Sequence, residues 1–196
     1  MRLCSYVVKT DTGLAPNPFW DYCTLALCTP NHMGVKLNAG DWIMGTTLKH
    51  RGQRLLYAMQ VEERLRFDAY FTDPRFHKKK PKPAGTGRQR CGDNQYFLDK
   101  QGQWCRIPSV FHSTEADLIK DTKRPYAFIG RTFYYWGENA ILMPEAFKSL
   151  IQCRQGSSCK HDERVVRDFV RWLTENFEPG IYGQPADREA VPCSGL

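Results

Sequence analysis

Four signatures are absent from this 196-residue sequence, and each absence removes a class of chemistry. No GxxxxGK(S/T) occurs, which excludes a Walker-type phosphate loop, and no GxGxxG follows a strand, which excludes a dinucleotide fold. No HExxH supplies a zincin helix and no GxSxG a nucleophile elbow. "GTGRQR" (Gly85–Arg90) is glycine-rich, but no strand precedes it, so it is not read as a phosphate loop. No apolar run approaches the roughly 18 residues of a membrane span. The opening "MRLCSYVVKTDTG" has no h-region and enters a strand directly, so the expectation is a cytoplasmic protein with no membrane attachment. There is no internal repeat.

Acid is missing in one place. "HKKKPKPAGTGRQR" (His77–Arg90) carries six Lys/Arg and no Asp or Glu, within a chain whose 28 Lys+Arg against 21 Asp+Glu give +7. That balance is compatible with a polyanionic partner, and each phosphate contact would add affinity that falls with salt. Proline and glycine mark the stretch as a mobile loop. Cysteine, by contrast, is plentiful at eight. With no secretion signal and ample core residues, free buried thiols are expected rather than disulfides. Cys23, Cys28 and His32, and more loosely Cys153, Cys159 and His161, are the only sets with any metal-like spacing. Neither supplies two tight ligand pairs, so no metal is expected.

Hydrophobic periodicity organises the rest. "CSYVVKT", "CTLALCTP", "GDWIMGTT" and "RLLYAMQVEERL" read as strands, the last two as a hairpin, with Gly45 marking a bulge or a close backbone approach. "RFDAYFTDP" reads as a short helix capped by Asp68. "QYFLD" and "QWCRI" form a second hairpin across Lys100–Gly102, and "PYAFIGRTFYYWG" a strand, a turn and a strongly aromatic strand. "HSTEADLIKDT" is a loop or a helical turn. "MPEAFKSLIQC" begins a helix with Pro144 in its first turn. In "HDERVVRDFVRWLTENFEPG", Val165, Val166, Phe169, Leu173 and Phe177 recur at helical spacing and Gly180 ends the run. The fold class expected is α+β: a small curved or closed mixed β-barrel with flanking helices and a C-terminal amphipathic helix. Residues 1–150 are read as the main domain, 151–183 as a helical appendage packed on it, and 184–196 as a flexible tail.

The aromatic residues are the richest functional signal. Phe19, Trp42, Tyr96, Trp104 and Trp136 stand beside turns or in loops, where rings can stack a base for roughly 1–3 kcal/mol each. Specificity needs polar groups alongside, and Asn17, Thr46, Asp93 and Asn94 are the candidates. Arg75, Lys78, Lys79 and Lys80 are candidates for phosphate contact. For catalysis, His112 with Asp93 or Asp121 forms the candidate acid/base set.

The segments "APNPF", "CTLALCTP", "GDWIMGT", "RLLYAMQV", "FDAYFTDPRF", "GDNQY", "FHS" and "FYYWG" together resemble the nucleotide modification associated domain 2 family over about residues 1–150. The resemblance implies a bacterial or phage DNA-modification or defence context. The glycine–aspartate turn into a hairpin, followed by a segment ending in "DP", is similar to PUA-like domains of the EVE and YTH types. That second resemblance implies a small β-barrel holding a modified base among aromatic rings, beside a basic surface. The expected function is therefore non-enzymatic reading of a modified base or nucleotide, with nucleic acid or nucleotide as partner and no cofactor. Two alternatives stand: an enzyme acting on a nucleotide or modified base, and a protein-interaction or inhibitor module with protein partners in a modification or defence system.

Overall fold

The computed structural model describes residues 1–27, 35–152 and 156–188. Its strands are β1 (Leu3–Val7), β2 (Cys23–Leu25), β3 (Trp42–Thr46), β4 (Leu55–Gln60), β5 (Glu63–Arg66), β6 (Tyr96–Leu98), β7 (Trp104–Arg106), β8 (Tyr126–Gly130), β9 (Phe133–Tyr135), β10 (Ser157–Ser158) and β11 (Gly180–Ile181). The α-helices are α1 (Phe67–Thr72), α2 (Gly87–Arg90), α3 (Glu115–Asp121) and α4 (Glu163–Asn176).

The strands form three sheets, of order β10-β1-β3-β4-β9-β11, β2-β8-β5 and β6-β7. Each runs from one edge to another, and among the described residues no barrel closes. The expected closed barrel is thus not seen; the strands are divided among three sheets of a mixed α/β fold. The central hairpin β3–β4 has apolar residues on both faces, as a strand between two cores must. Trp42 and Met44 point to one core with Leu3, Ala58 and Tyr134; Ile43 points to the other with Cys4, Tyr57 and Tyr135. Helix α4 closes the first core through Val166, Phe169 and Leu173, and Asp162 caps its start by accepting from the amides of Arg164 and Val165. Burying Phe169 alone contributes about 1.5–3 kcal/mol.

The second core joins this sheet to β2 and β8 through Cys23, Leu25 and Phe128. The far side of that small sheet (Ala127, Ile129) packs on Phe67 and Tyr70 of α1, Phe76 and Tyr96. "PYAFIG" and "FYYWG" are thus neighbours in sequence but belong to different sheets.

Several local expectations are corrected. Residues 77–90 are not simply a loop: a 3-10 helix covers Pro74–Lys79, α2 follows, and Pro81 is buried. Glu145–Leu150 is a 3-10 helix rather than α. Arg66, not Asp68, is the N-cap of α1, and Asp68 lies in its first turn. Cys4 and Cys159 are joined in a disulfide, against the expectation of free thiols. Cys23, Cys91 and Cys105 are free; Cys28, His32, Cys153 and Cys193 lie outside the described residues.

The chain beyond α4 is well anchored as far as it is described. β11 pairs in parallel with β9, and Tyr182 stacks on Trp136 at 5.8 Å. The Tyr135 hydroxyl donates to both carboxylate oxygens of Asp11 (2.7 and 2.8 Å), and the Ala186 amide donates to Asp11 at 3.0 Å. Asp187 accepts from the Asp11 amide and from both terminal nitrogens of Arg51. Residues 184–188 form a strap that these bonds hold against the body; 189–196 lie outside the described residues.

Candidate functional site

The polar residues singled out in the sequence meet in the interior. Lys79 is 1% exposed, and its amine donates to the Asn17 carbonyl (3.0 Å), Asn17 Oδ1 (2.9 Å) and the Tyr22 carbonyl (2.9 Å). The Asn17 side-chain amide in turn donates to the Cys91 carbonyl at 2.8 Å. Asp93 accepts from Thr24 Oγ1 (2.6 Å) and the Tyr70 hydroxyl (2.8 Å). Asn94 donates to the carbonyls of Tyr70 and Phe76, while its Oδ1 has no partner among the described residues. Burial lowers the Lys79 amine to about 8 although Asp93 opposes the shift, and burial raises the Asp93 carboxyl although Lys79 opposes that.

This network ties the loop before β2 to the 3-10 helix and to Cys91–Gln95. Lys79 is thus corrected from a surface phosphate contact to an interior strut. Its bonds reach a turn in which Trp20 and Asp21 both have positive φ (58° and 67°), a conformation costing non-glycine residues roughly 1–2 kcal/mol each.

The rings do not converge. Trp42 is 2% exposed and stacks on Tyr134 at 6.4 Å; Trp136, equally buried, stacks on the same tyrosine at 6.2 Å. Both belong to the core under α4. Trp104 and Tyr96 lie elsewhere, around Phe67, with Arg66 over the Trp104 ring. Trp42 is thus corrected from cavity rim to a core residue packed with Leu3, Met44 and Tyr134. The space at Gly45 is likewise taken: a Cβ there would meet the Tyr57 ring at 2.5 Å and Val8 at 2.6 Å. Thr46 is buried beside it, its hydroxyl without a partner among the described residues.

The other sequence candidates scatter. Arg75 is held by Asp73 and Glu63, the contacts that raise its already high pKa, so its guanidinium is not a spare phosphate donor. Lys78 is exposed, whereas Lys80 lies over the Phe71 ring at 3.7 Å. His112 Nδ1 lies 2.6 Å from Asp121 Oδ2, which also accepts from the Tyr96 hydroxyl at 2.8 Å. Asp93 is absent from that cluster, being bonded in the Lys79 network.

One open cleft of about 290 Å³ lies between the loop before β2, α2 and the C-terminal strap. Phe19, Cys91 and Pro185 form buried walls, and Thr12, Thr86, Arg88, Gln184 and Arg188 also line it. The Arg88 guanidinium carbon is 5.2 Å from the centre of the Phe19 ring. The Cys91 thiol donates to the Thr12 carbonyl at 3.0 Å, and burial pushes its pKa up to about 11. Phe19 is the sequence-named residue that lines the cleft. Arg88 is signalled in the sequence only by the acid-free stretch around it, and Arg188 by nothing local, because the strap reaches the cleft from the far end of the chain.

A chain with these three sheets and this cleft matches the family model described as nucleotide modification associated domain 2, over residues 1–191, and belongs to that family. The match takes in α4 and the strap, which the resemblance over 1–150 left out. No curated protein and no solved structure matches the chain, so the likeness to PUA-like domains has no support from these comparisons. Among the described residues no helix is long and apolar enough to cross a membrane.

Proposed function

We propose that the protein binds a modified base or nucleotide in DNA as a non-enzymatic reader. The family's description associates it with nucleotide modification. The observation that carries the reading is the run from Pro74 to Gly92, which contains no carboxylate and leaves Lys78, Lys82, Arg88 and Arg90 exposed. Exposed cations without neighbouring acids in the sequence suit phosphate contacts, whose worth lies in displaced counterions. With Trp42 in the core, Phe19 replaces it as the ring nearest a possible base.

The test is fluorescence anisotropy with oligonucleotides that carry 5-methylcytosine, 5-hydroxymethylcytosine or N6-methyladenine, against the plain sequence. A modification is expected to tighten binding. Lys78→Ala with Lys82→Ala and Arg90→Ala should weaken all the oligonucleotides alike and flatten the salt dependence, by about one unit of slope for every phosphate no longer neutralised. Equal binding to modified and plain DNA overturns the reader.

The second reading, an enzyme, rests on His112 and Asp121. A carboxylate 2.6 Å from Nδ1 can fix the tautomer and orientation of the imidazole, as a general acid or base requires. Turnover of a nucleotide by purified protein, lost in His112→Gln with the fold retained, would favour it over the reader.

A further inference from the structure

Two arginines, Arg88 and Arg188, line the cleft, and among the described residues no carboxylate does. Of the carboxylates next to lining residues in the chain, Glu189 lies outside the described residues, and the other two are spoken for. Asp11 accepts from the Tyr135 hydroxyl and the Ala186 amide, and Asp187 is bridged by Arg51. The Cys91 thiol is protonated near neutral pH and adds no charge. Among the described residues the lining of the cleft is therefore net positive, between the apolar walls of Phe19 and Pro185.

Size narrows the occupant. About 290 Å³ lies at the foot of the roughly 300–1,000 Å³ range of small-molecule sites, enough for one ring system with a single anionic group. The chemistry is equally specific. Phe19, itself 3% exposed, forms an apolar wall with the guanidinium of Arg88 over its ring, and Arg88 is an exposed residue of α2. Displaced from the ring, its guanidinium reaches a phosphate as a planar, bidentate donor. Gln184 also lines the cleft, and an amide side chain of its kind can both donate to and accept from a base edge.

We infer that the cleft bounded by Phe19, Arg88, Gln184 and Arg188 is a binding site for a single nucleoside monophosphate unit, with its base on Phe19 and its phosphate between the two arginines. The assignment rests on the proposed reading for its choice of nucleotide among anionic ring compounds. It places the recognised unit at the junction of the acid-free run and the strap, away from the aromatic core under α4.

The experiment is isothermal titration of the full chain with the four deoxynucleoside 5′-monophosphates, 5-methyl-dCMP, the parent nucleosides and inorganic phosphate. One monophosphate per chain is expected to bind, at least tenfold tighter than its nucleoside or inorganic phosphate. Arg88→Ala and Arg188→Ala, both at exposed positions, should each weaken it about tenfold, while Arg167→Ala on the exposed side of α4 leaves it unchanged. Phe19→Leu, which preserves the wall, should weaken the monophosphate without touching inorganic phosphate. Absence of monophosphate binding, or binding unmoved by both arginine variants, overturns the site; equal affinity for inorganic phosphate overturns the nucleotide assignment. Oligonucleotides that bind with a modification preference while monophosphates fail would sink the cleft and spare the reader. Monophosphates that bind while oligonucleotides fail would do the reverse.

Discussion

Lys79 carries an amine into a site where three carbonyl oxygens surround it. Burial lowers its pKa from 10.5 to about 8. Between those values the unfolded chain binds a proton that the native chain has released, so this group makes stability rise with pH across that window. Below about pH 8 the full cost of holding the charge inside is present. Lys79→Met should therefore lose stability at pH 7.5, because the carbonyls of Asn17 and Tyr22 are stranded at about 1–3 kcal/mol. It should also lose the upward slope. Urea midpoints at pH 7.5 and 9.5 check this: the wild type gains on the variant at the higher pH, and parallel profiles would refute the shift. In the sequence, "HKKK" reads as three equivalent solvated lysines. The phase of the 3-10 helix decides which one turns inward, and that phase is set by Phe76 packing on Tyr70 and Tyr22.

At the scale of elements, legibility follows range. The hairpin β3–β4, the hairpin β6–β7 and helix α4 are written in local turn residues and periodicity, and all three are present. Partner choice is not local. Nothing in "PYAFIGRTFYYWG" says that its two strands join different sheets, because that depends on β4 and β5 competing for them. The two readings of Gly45 also separate here. Where Tyr57 and Val8 fill the space, Gly45→Ala overpacks the hairpin and should cost about 1–3 kcal/mol, read as a lower denaturant midpoint, with ligand affinity of the folded fraction intact. Unchanged stability with abolished binding would restore Gly45 as a ligand approach. The candidate site is the least legible part, since its walls come from Phe19, α2 and the strap, brought together only by the finished fold.

Across the whole molecule, the Cys4–Cys159 disulfide joins positions 155 residues apart in sequence, fastening β1 to the segment before α4. Closing so long a loop in the unfolded chain contributes typically about 2–4 kcal/mol. Cys159→Ser should lower the thermal midpoint, and a reductant should bring the wild type down to the same value while leaving the variant unmoved. A reductant without effect on the wild type would contradict the bridge.

The position of β1 has a consequence for synthesis on the ribosome. β1 gains β3 as a parallel neighbour once residues 42–46 emerge, but among the described residues its other edge pairs only with Ser157–Ser158. An apolar strand with one open edge thus waits while everything between those two segments is made, a window in which nascent chains pair with one another. Stalled chains of increasing length, challenged with protease, should gain protection of the N-terminal strand only after residue 158 has cleared the exit tunnel. Early protection would mean that another segment shelters that edge in the meantime.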